Sequence, residues 1–105
     1  MASKRSIFSV TTPLGHRVTV SRDRWRLIVR LKHPAMAGQE KNVRACLQNP
    51  TVIRASAKSP DVHLYYRKQG RFYLCVVVAP GDPDRFVVTA YWTRNIKEGT
   101  VLWKK

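Results

Sequence analysis

The segment that most restricts the fold is the run RFYLCVVVA, residues 71–79, which carries apolar side chains at both odd and even positions. Successive side chains of a β-strand point to opposite faces of its sheet, so a strand of this composition needs cover on both faces. We therefore predict that residues 71–79 form a central strand. Gln69-Gly70 separates this run from VHLYYRK, residues 62–68, which predicts a hairpin between the two strands.

Shorter segments on both sides of this hairpin also have strand patterns. TVIRAS at 51–56 precedes it, RFVVTAYWT at 85–93 follows it, and the tail TVLWKK offers a further edge strand. Near the N-terminus, IFSVT at 7–11 and HRVTV at 16–20 flank TPLG. The Pro and Gly of that tetrapeptide predict a tight turn and a second hairpin.

Two helices are predicted between the hairpins. Residues 22–32 begin after Ser21, a good helix start signal, and show helical spacing of Trp25, Ile28 and Val29. Pro34 is expected to end this helix at the residue before it. Residues 38–48 form the second helix. The element order predicts one α+β domain over residues 1–105, with an N-terminal hairpin and two helices packed on one face of a three- or four-stranded antiparallel sheet.

Net charge is the strongest functional signal in the composition. Twenty Lys and Arg stand against six Asp and Glu, which gives a formal net charge of +14. Such self-repulsion opposes compaction and indicates a polyanionic partner: nucleic acid, an anionic membrane surface or an acidic protein. The chain has no run of 18 apolar residues and no apolar stretch behind its charged N-terminus, so we expect a cytoplasmic protein without a membrane partner.

Metal and cofactor chemistry are not expected. The six carboxylates are scattered over helix starts and turns, and Cys46 and Cys75 lie 29 residues apart among apolar neighbours. Clustered carboxylates or closely spaced Cys and His ligands would be needed for metal catalysis or a zinc site. The two cysteines are therefore interpreted as reduced core thiols.

Period-two alternation sorts the strand residues into two faces. If the helices cover the more apolar face, the other face gathers hydrogen-bond donors, rings and cations without a carboxylate: Arg54, Ser56, His63, Tyr65, Arg67, Thr89, Tyr91 and Thr93. His33 is expected near Arg22, Arg26 and Arg30 if the first helix continues that far. These groups suit RNA cleavage without a metal, in which the 2′-hydroxyl of the substrate attacks the adjacent phosphorus.

Four segments resemble small phage- and mobile-element-associated RNase domains of the barnase–EndoU–colicin–RelE superfamily. They are LKHPAM, VRACLQNPTVIRAS, HLYYRKQGRFYLCVVV and FVVTAYWTRNIKEG, which span residues 31–99. The resemblance implies helices followed by an antiparallel sheet and a metal-independent ribonuclease. It also implies that His33 is the helix-borne histidine, Arg67 the strand arginine, and Thr89 and Tyr91 the hydroxyls of the last strand.

The sequence thus predicts a catalytic set and a surrounding binding surface. The expected catalytic residues are His33, Arg67, Thr89, Tyr91 and Ser56. The expected nucleic-acid-binding residues are Arg22, Arg26, Arg30, Lys32, Arg54, Tyr65, Trp92, Arg94 and Lys97. Each has a structural alternative: His33 as a helix cap, Ser56 as a turn residue, and Trp92 as either a core residue or a base-stacking platform.

Three functional hypotheses follow. The first is an endoribonuclease acting as a toxin or phage-associated effector, with RNA as substrate and an acidic antitoxin or immunity protein as partner. The second is a nucleic-acid-binding module without catalysis, whose affinity falls steeply with salt. The third is a basic structural protein of a phage particle or a ribosome-like assembly.

Overall fold

The strand with apolar residues on both faces lies at the centre of the sheet, as predicted. The computed structural model describes residues 6–105. Its strands are β1 (Ser6–Thr11), β2 (Arg17–Ser21), β3 (Val52–Ala55), β4 (His63–Gln69), β5 (Phe72–Ala79), β6 (Arg85–Thr93) and β7 (Val101–Lys104). They form one sheet in the order β1-β2-β6-β5-β4-β3-β7, so β5 is the central strand with three strands on each side.

The predicted three- or four-stranded antiparallel sheet is wrong. The sheet has seven strands, because the β1–β2 hairpin adds to one edge and β7 adds to the other. β2 pairs in parallel with the start of β6, through Val18 with Arg85 and Thr19 with Phe86, which makes the sheet mixed. The alternating pattern identified the hairpin as strands but held no information about which edge those strands would join.

The helical layer is also smaller than predicted. α1 covers only Arg22–Leu27, and its continuation Ile28–Lys32 is a π-helix. A 3₁₀ turn, Pro34–Met36, and α2, Glu40–Gln48, follow. The Ser21 hydroxyl accepts a 3.1 Å hydrogen bond from the amide of Arg24, which confirms the predicted helix start.

The π-helix ends where the sequence predicts a break. The amide of His33 donates a 2.7 Å hydrogen bond to the carbonyl of Ile28, five residues earlier. Pro34 disfavours the helical conformation at His33, whose backbone is extended at φ −141°. Ile28 at the start of this segment is fully buried, and His33 at its end lies beside β6.

The two faces of the sheet carry cores of unequal size. The larger lies under the helices and includes Ile28, Met36, Leu47, Tyr65 and Val76, all fully buried. The smaller lies on the other face and contains Val52, Leu64, Tyr66 and Cys75. No helix in residues 6–105 has the length and apolar content to cross a membrane.

A crossover segment, which we call the strap (residues 94–100), connects β6 to β7 across the smaller core. The amide of Lys97 donates a 3.1 Å hydrogen bond to the Tyr66 hydroxyl, and Arg54 donates a 3.0 Å bond to the carbonyl of Lys97. Gly99 lies so close to β3 that a Cβ on it would stand 2.0 Å from the carbonyl oxygen of Ala55. The strap therefore passes directly over β3 and β4.

Candidate functional site

The fold brings His33 and Tyr91 together at the edge of β6. β2 pairs with β6 only at Arg85 and Phe86, so the second half of β6 is left for the π-helix and the 3₁₀ turn to pack against. His33 lies between those two elements, and its ring centroid is 5.4 Å from that of Tyr91. Both side chains are half-buried, so each residue keeps part of its surface open to solvent.

Lys97 adds a cation to this pair, and the strap fixes its position. Its ammonium group lies 5.8 Å from the centroid of the Tyr91 ring. The backbone of Lys97 is held on both sides, by the Tyr66 hydroxyl and by the Arg54 guanidinium. We refer to His33, Tyr91 and Lys97 as the His33–Tyr91 centre.

Thr89 lies on the same face of β6 as Tyr91. Tyr91 is opposite Cys75 and Thr89 is opposite Val77, so both point away from the helices. The Thr89 Oγ1 is buried and has no hydrogen-bond partner among residues 6–105, and the same holds for Nε of Arg54. Unpaired buried polar atoms are costly, which makes these two atoms candidates for ligand contact.

Burial keeps the tyrosines of this face protonated. It raises the pKa of Tyr91 well above its usual value, and the neighbouring Cys75 and Tyr66 add to the shift. Burial likewise raises the pKa of Tyr66 to about 12 and that of Cys75 to about 11. At neutral pH Tyr91 therefore acts as a hydrogen-bond donor, and Cys75 is an unreactive thiol, in keeping with the predicted core role.

Arg67 does not join this set, and its predicted place on the open face is wrong. Alternation along β4 puts Arg67 on the face covered by the helices. Its guanidinium donates hydrogen bonds to the carbonyls of Ala45 at 3.3 Å and Asn49 at 3.2 Å, at the C-terminal end of α2. Arg67 thus caps a helix, as basic side chains near a helix C-terminus commonly do.

Tyr65 and His63 share that covered face with Arg67, so their predicted exposure is also wrong. Tyr65 is fully buried and its hydroxyl donates a 2.9 Å bond to Thr12 Oγ1. His63 is 8% exposed and stacks on His16 with 5.5 Å between ring centroids. Burial, followed by Arg85 and His16, lowers the pKa of His63 to about 4. Its role is in packing.

Ser56 and Trp92 also lie away from the centre. Ser56 is a turn residue, because its hydroxyl accepts a 3.4 Å bond from the amide of Ser59. Trp92 points to the helix side of the sheet, where it lines a mostly apolar hollow of about 410 Å³ with Gln69 and Phe72. The guanidinium of Arg94 lies 5.3 Å from the Phe72 ring.

The predicted row of helix arginines forms a distinct cationic surface, which we call the arginine ridge (Arg22, Arg26 and Arg30). All three are exposed and line one cavity of about 500 Å³. The other lining residues are Ile7, Trp25, Val29, Ala37, Gly38 and Glu40. His33 is not among them, so the expected clustering of His33 with the three arginines does not occur. Lys32 is exposed on the same π-helix.

Few of these cations are neutralised within the chain. Among residues 6–105, the one ion pair within 4 Å joins Arg17 and Asp84 at 3.5 Å. The same residues hold no group of three or more His, Cys, Asp or Glu side chains placed to bind a metal ion.

Comparison with protein families, with characterised proteins and with solved structures finds no match to this chain. The groups at the candidate site are an imidazole, hydroxyls and cations.

Proposed function

We propose that this protein is an endoribonuclease that cleaves RNA at the His33–Tyr91 centre without a metal ion. The observation that carries the proposal is the 5.4 Å contact between the His33 and Tyr91 rings, with the Lys97 ammonium over the same tyrosine. Lys97 has the phosphate-binding role that the sequence led us to expect of Arg67. It neutralises the scissile phosphate, and Thr89 supplies a hydrogen bond to a phosphate oxygen.

His33 and Tyr91 each carry out one of the two proton transfers of the reaction. His33 accepts the proton of the attacking 2′-hydroxyl, because an imidazole accepts protons near neutral pH. The 2′-oxygen forms its bond to phosphorus while the bond to the 5′-oxygen breaks, and Tyr91 donates its proton to that leaving oxygen. His33 then returns a proton to Tyr91. The products are a 2′,3′-cyclic phosphate and a 5′-hydroxyl.

The test is cleavage of defined end-labelled RNA by the purified protein in EDTA. We expect cyclic-phosphate ends and a loss of about 100-fold or more with His33→Ala, since a positioned acid or base contributes that much. Tyr91→Phe and Lys97→Gln should also reduce the rate, whereas Lys58→Gln, an exposed loop cation, should not. Cleavage that requires a divalent ion, or that survives in His33→Ala, would overturn the proposal.

A second candidate is nucleic-acid binding without catalysis, and the arginine ridge favours it. Three exposed guanidinium groups in one row suit a polyanion whether or not a bond is cut. Full binding with no cleavage of any RNA tested would support this function instead.

We further propose a cellular role that fits ribonuclease activity. The protein acts in the cytoplasm as a toxin or phage-associated effector, and an acidic antitoxin or immunity protein neutralises it. The support is the formal net charge of +14, which favours fast association with an acidic partner.

A further inference from the structure

The intervals between the arginines of the arginine ridge suit the binding of a single polyanionic strand. Arg22 and Arg26 are one helical turn apart, about 6 Å along the axis, and Arg30 continues the row in the π-helix. That interval is close to the spacing of successive phosphates in an extended nucleic-acid strand. A row of three therefore matches three consecutive phosphates better than it matches one compact anion.

The ridge is electrostatically unsatisfied. Glu40 lines the same cavity and Asp23 lines the hollow beside it, but neither lies within 4 Å of an arginine nitrogen of residues 6–105. Three neighbouring guanidinium groups repel one another unless anions lie between them. Their exposed positions also mean that packing does not require them.

Apolar walls flank the ridge on both sides. Arg26 and Arg30 separate the 500 Å³ cavity, with Val29 in its wall, from a hollow of about 310 Å³ that contains Leu27 and Leu31. Leu31 is 76% exposed and Leu27 is 37% exposed, although apolar residues this open are uncommon on one helix face. The bases of a single strand can pack against such apolar surface, and they also stack on the planes of arginine side chains.

The ridge and the His33–Tyr91 centre are close in sequence, although His33 does not line the ridge cavity. Arg30 precedes His33 by three residues, and the cavity wall resumes at Ala37 and Gly38, just after the 3₁₀ turn. We infer that the arginine ridge is a site for single-stranded RNA, separate from the His33–Tyr91 centre, and that it binds consecutive phosphates of the strand. The choice of RNA rests on the proposed function, and because His33 does not line the ridge cavity the inference does not depend on how many nucleotides separate the ridge from the scissile phosphate.

The test separates binding from cleavage by means of a short single-stranded 2′-O-methyl oligonucleotide, which lacks the attacking hydroxyl. Fluorescence anisotropy would compare wild type with the triple variant Arg22→Gln/Arg26→Gln/Arg30→Gln. We expect at least a tenfold loss of affinity at low salt. The slope of log K against log salt should decrease by about 2, because each phosphate contact on a single strand contributes about 0.7.

The matched control is Lys58→Gln/Arg71→Gln/Lys104→Gln, which removes the same charge from exposed positions elsewhere. Arg22→Lys/Arg26→Lys/Arg30→Lys should restore most of the salt slope. Equal losses in the two glutamine variants would show that total charge and not the ridge binds RNA. Unchanged binding in the ridge variant would overturn the inference and leave an acidic protein as the occupant to test.

Failure of this inference is distinguishable from failure of the proposed function. If wild type binds the oligonucleotide through the ridge but cuts no RNA, the proposed function is wrong and the ridge stands. If the ridge variant binds and cuts as wild type does, while His33→Ala binds without cutting, the inference is wrong and the function stands.

Discussion

The two faces of the sheet use similar residues for different purposes. On the helix-covered face, Arg67, His63 and Tyr65 hold α2 and the core in place. On the strap-covered face, Tyr91, Thr89 and Arg54 stay half-buried. Buried atoms without a hydrogen-bond partner among residues 6–105 occur on both faces, at Thr89 and Arg54 here and at His63 under the helices. Beneath the thin cover of seven residues Tyr91 stays half-buried beside His33, whereas the helical layer uses Tyr65 and Arg67 for packing.

The largest expected effect comes from lifting the strap. Gly99→Ala would place a Cβ against the backbone oxygen of Ala55, which a flexible side chain cannot relieve. We expect a loss of roughly 4 kcal/mol in the free energy of unfolding, or release of the strap and β7, because the strap must move away from β3. Urea denaturation and tyrosine fluorescence would measure this loss.

The control is Gly70→Ala, at a turn with φ +62° and no atom within 4 Å of the added Cβ. It should cost only about 1 kcal/mol, from the left-handed backbone alone. Equal effects of the two substitutions would contradict the close approach of strap and β3.

The second-largest expected effect is a loss of folding stability in acid, caused by His63 on the helix-covered face. Burial lowers the pKa of His63 from its usual value of 6.5 to about 4 in the folded protein. Above pH 6.5 it is neutral in both states. As the pH falls from 6.5 towards 4, the unfolded chain binds a proton that the folded protein resists, so stability falls by as much as about 3 kcal/mol.

Urea midpoints across this pH range would measure that loss. Arg85 and His16 oppose protonation of His63 and Asp61 favours it, so these groups share the effect. His63→Leu should flatten the pH dependence. A profile that is equally steep in this variant would show that other groups cause the loss.

A smaller effect is expected from Arg67→Met. The substitution removes two hydrogen bonds to the carbonyls of Ala45 and Asn49, and bonds from a charged donor contribute about 1.5–3 kcal/mol. Because Arg67 is only partly buried, we expect a loss of about 2 kcal/mol with RNA cleavage unchanged below the unfolding transition. Lost cleavage at full stability would return Arg67 to the active site.

Part of the candidate site follows from the sequence for identifiable reasons. His33 and Tyr91 meet because Pro34 ends the helical segment beside the open half of β6. Lys97 was expected at a binding surface, but its place over the Tyr91 ring depends on hydrogen bonds that the strap makes with Tyr66 and Arg54. Those partners lie 31 and 43 residues away, beyond any local pattern.

The sequence by itself determined the strands, the central position of β5 and the grouping of His63, Tyr65 and Arg67 on one face of β4, because side-chain alternation is a property of a single strand. Only the tertiary structure decided which face the helices cover. Tyr66 lies opposite Cys75 of β5 on one side and Tyr91 lies opposite Cys75 on the other, so Tyr66 shares a face with Tyr91 and Tyr65 does not. The relative phase of neighbouring strands depends on hydrogen-bond register between distant segments, and a shift of one residue exchanges the two faces.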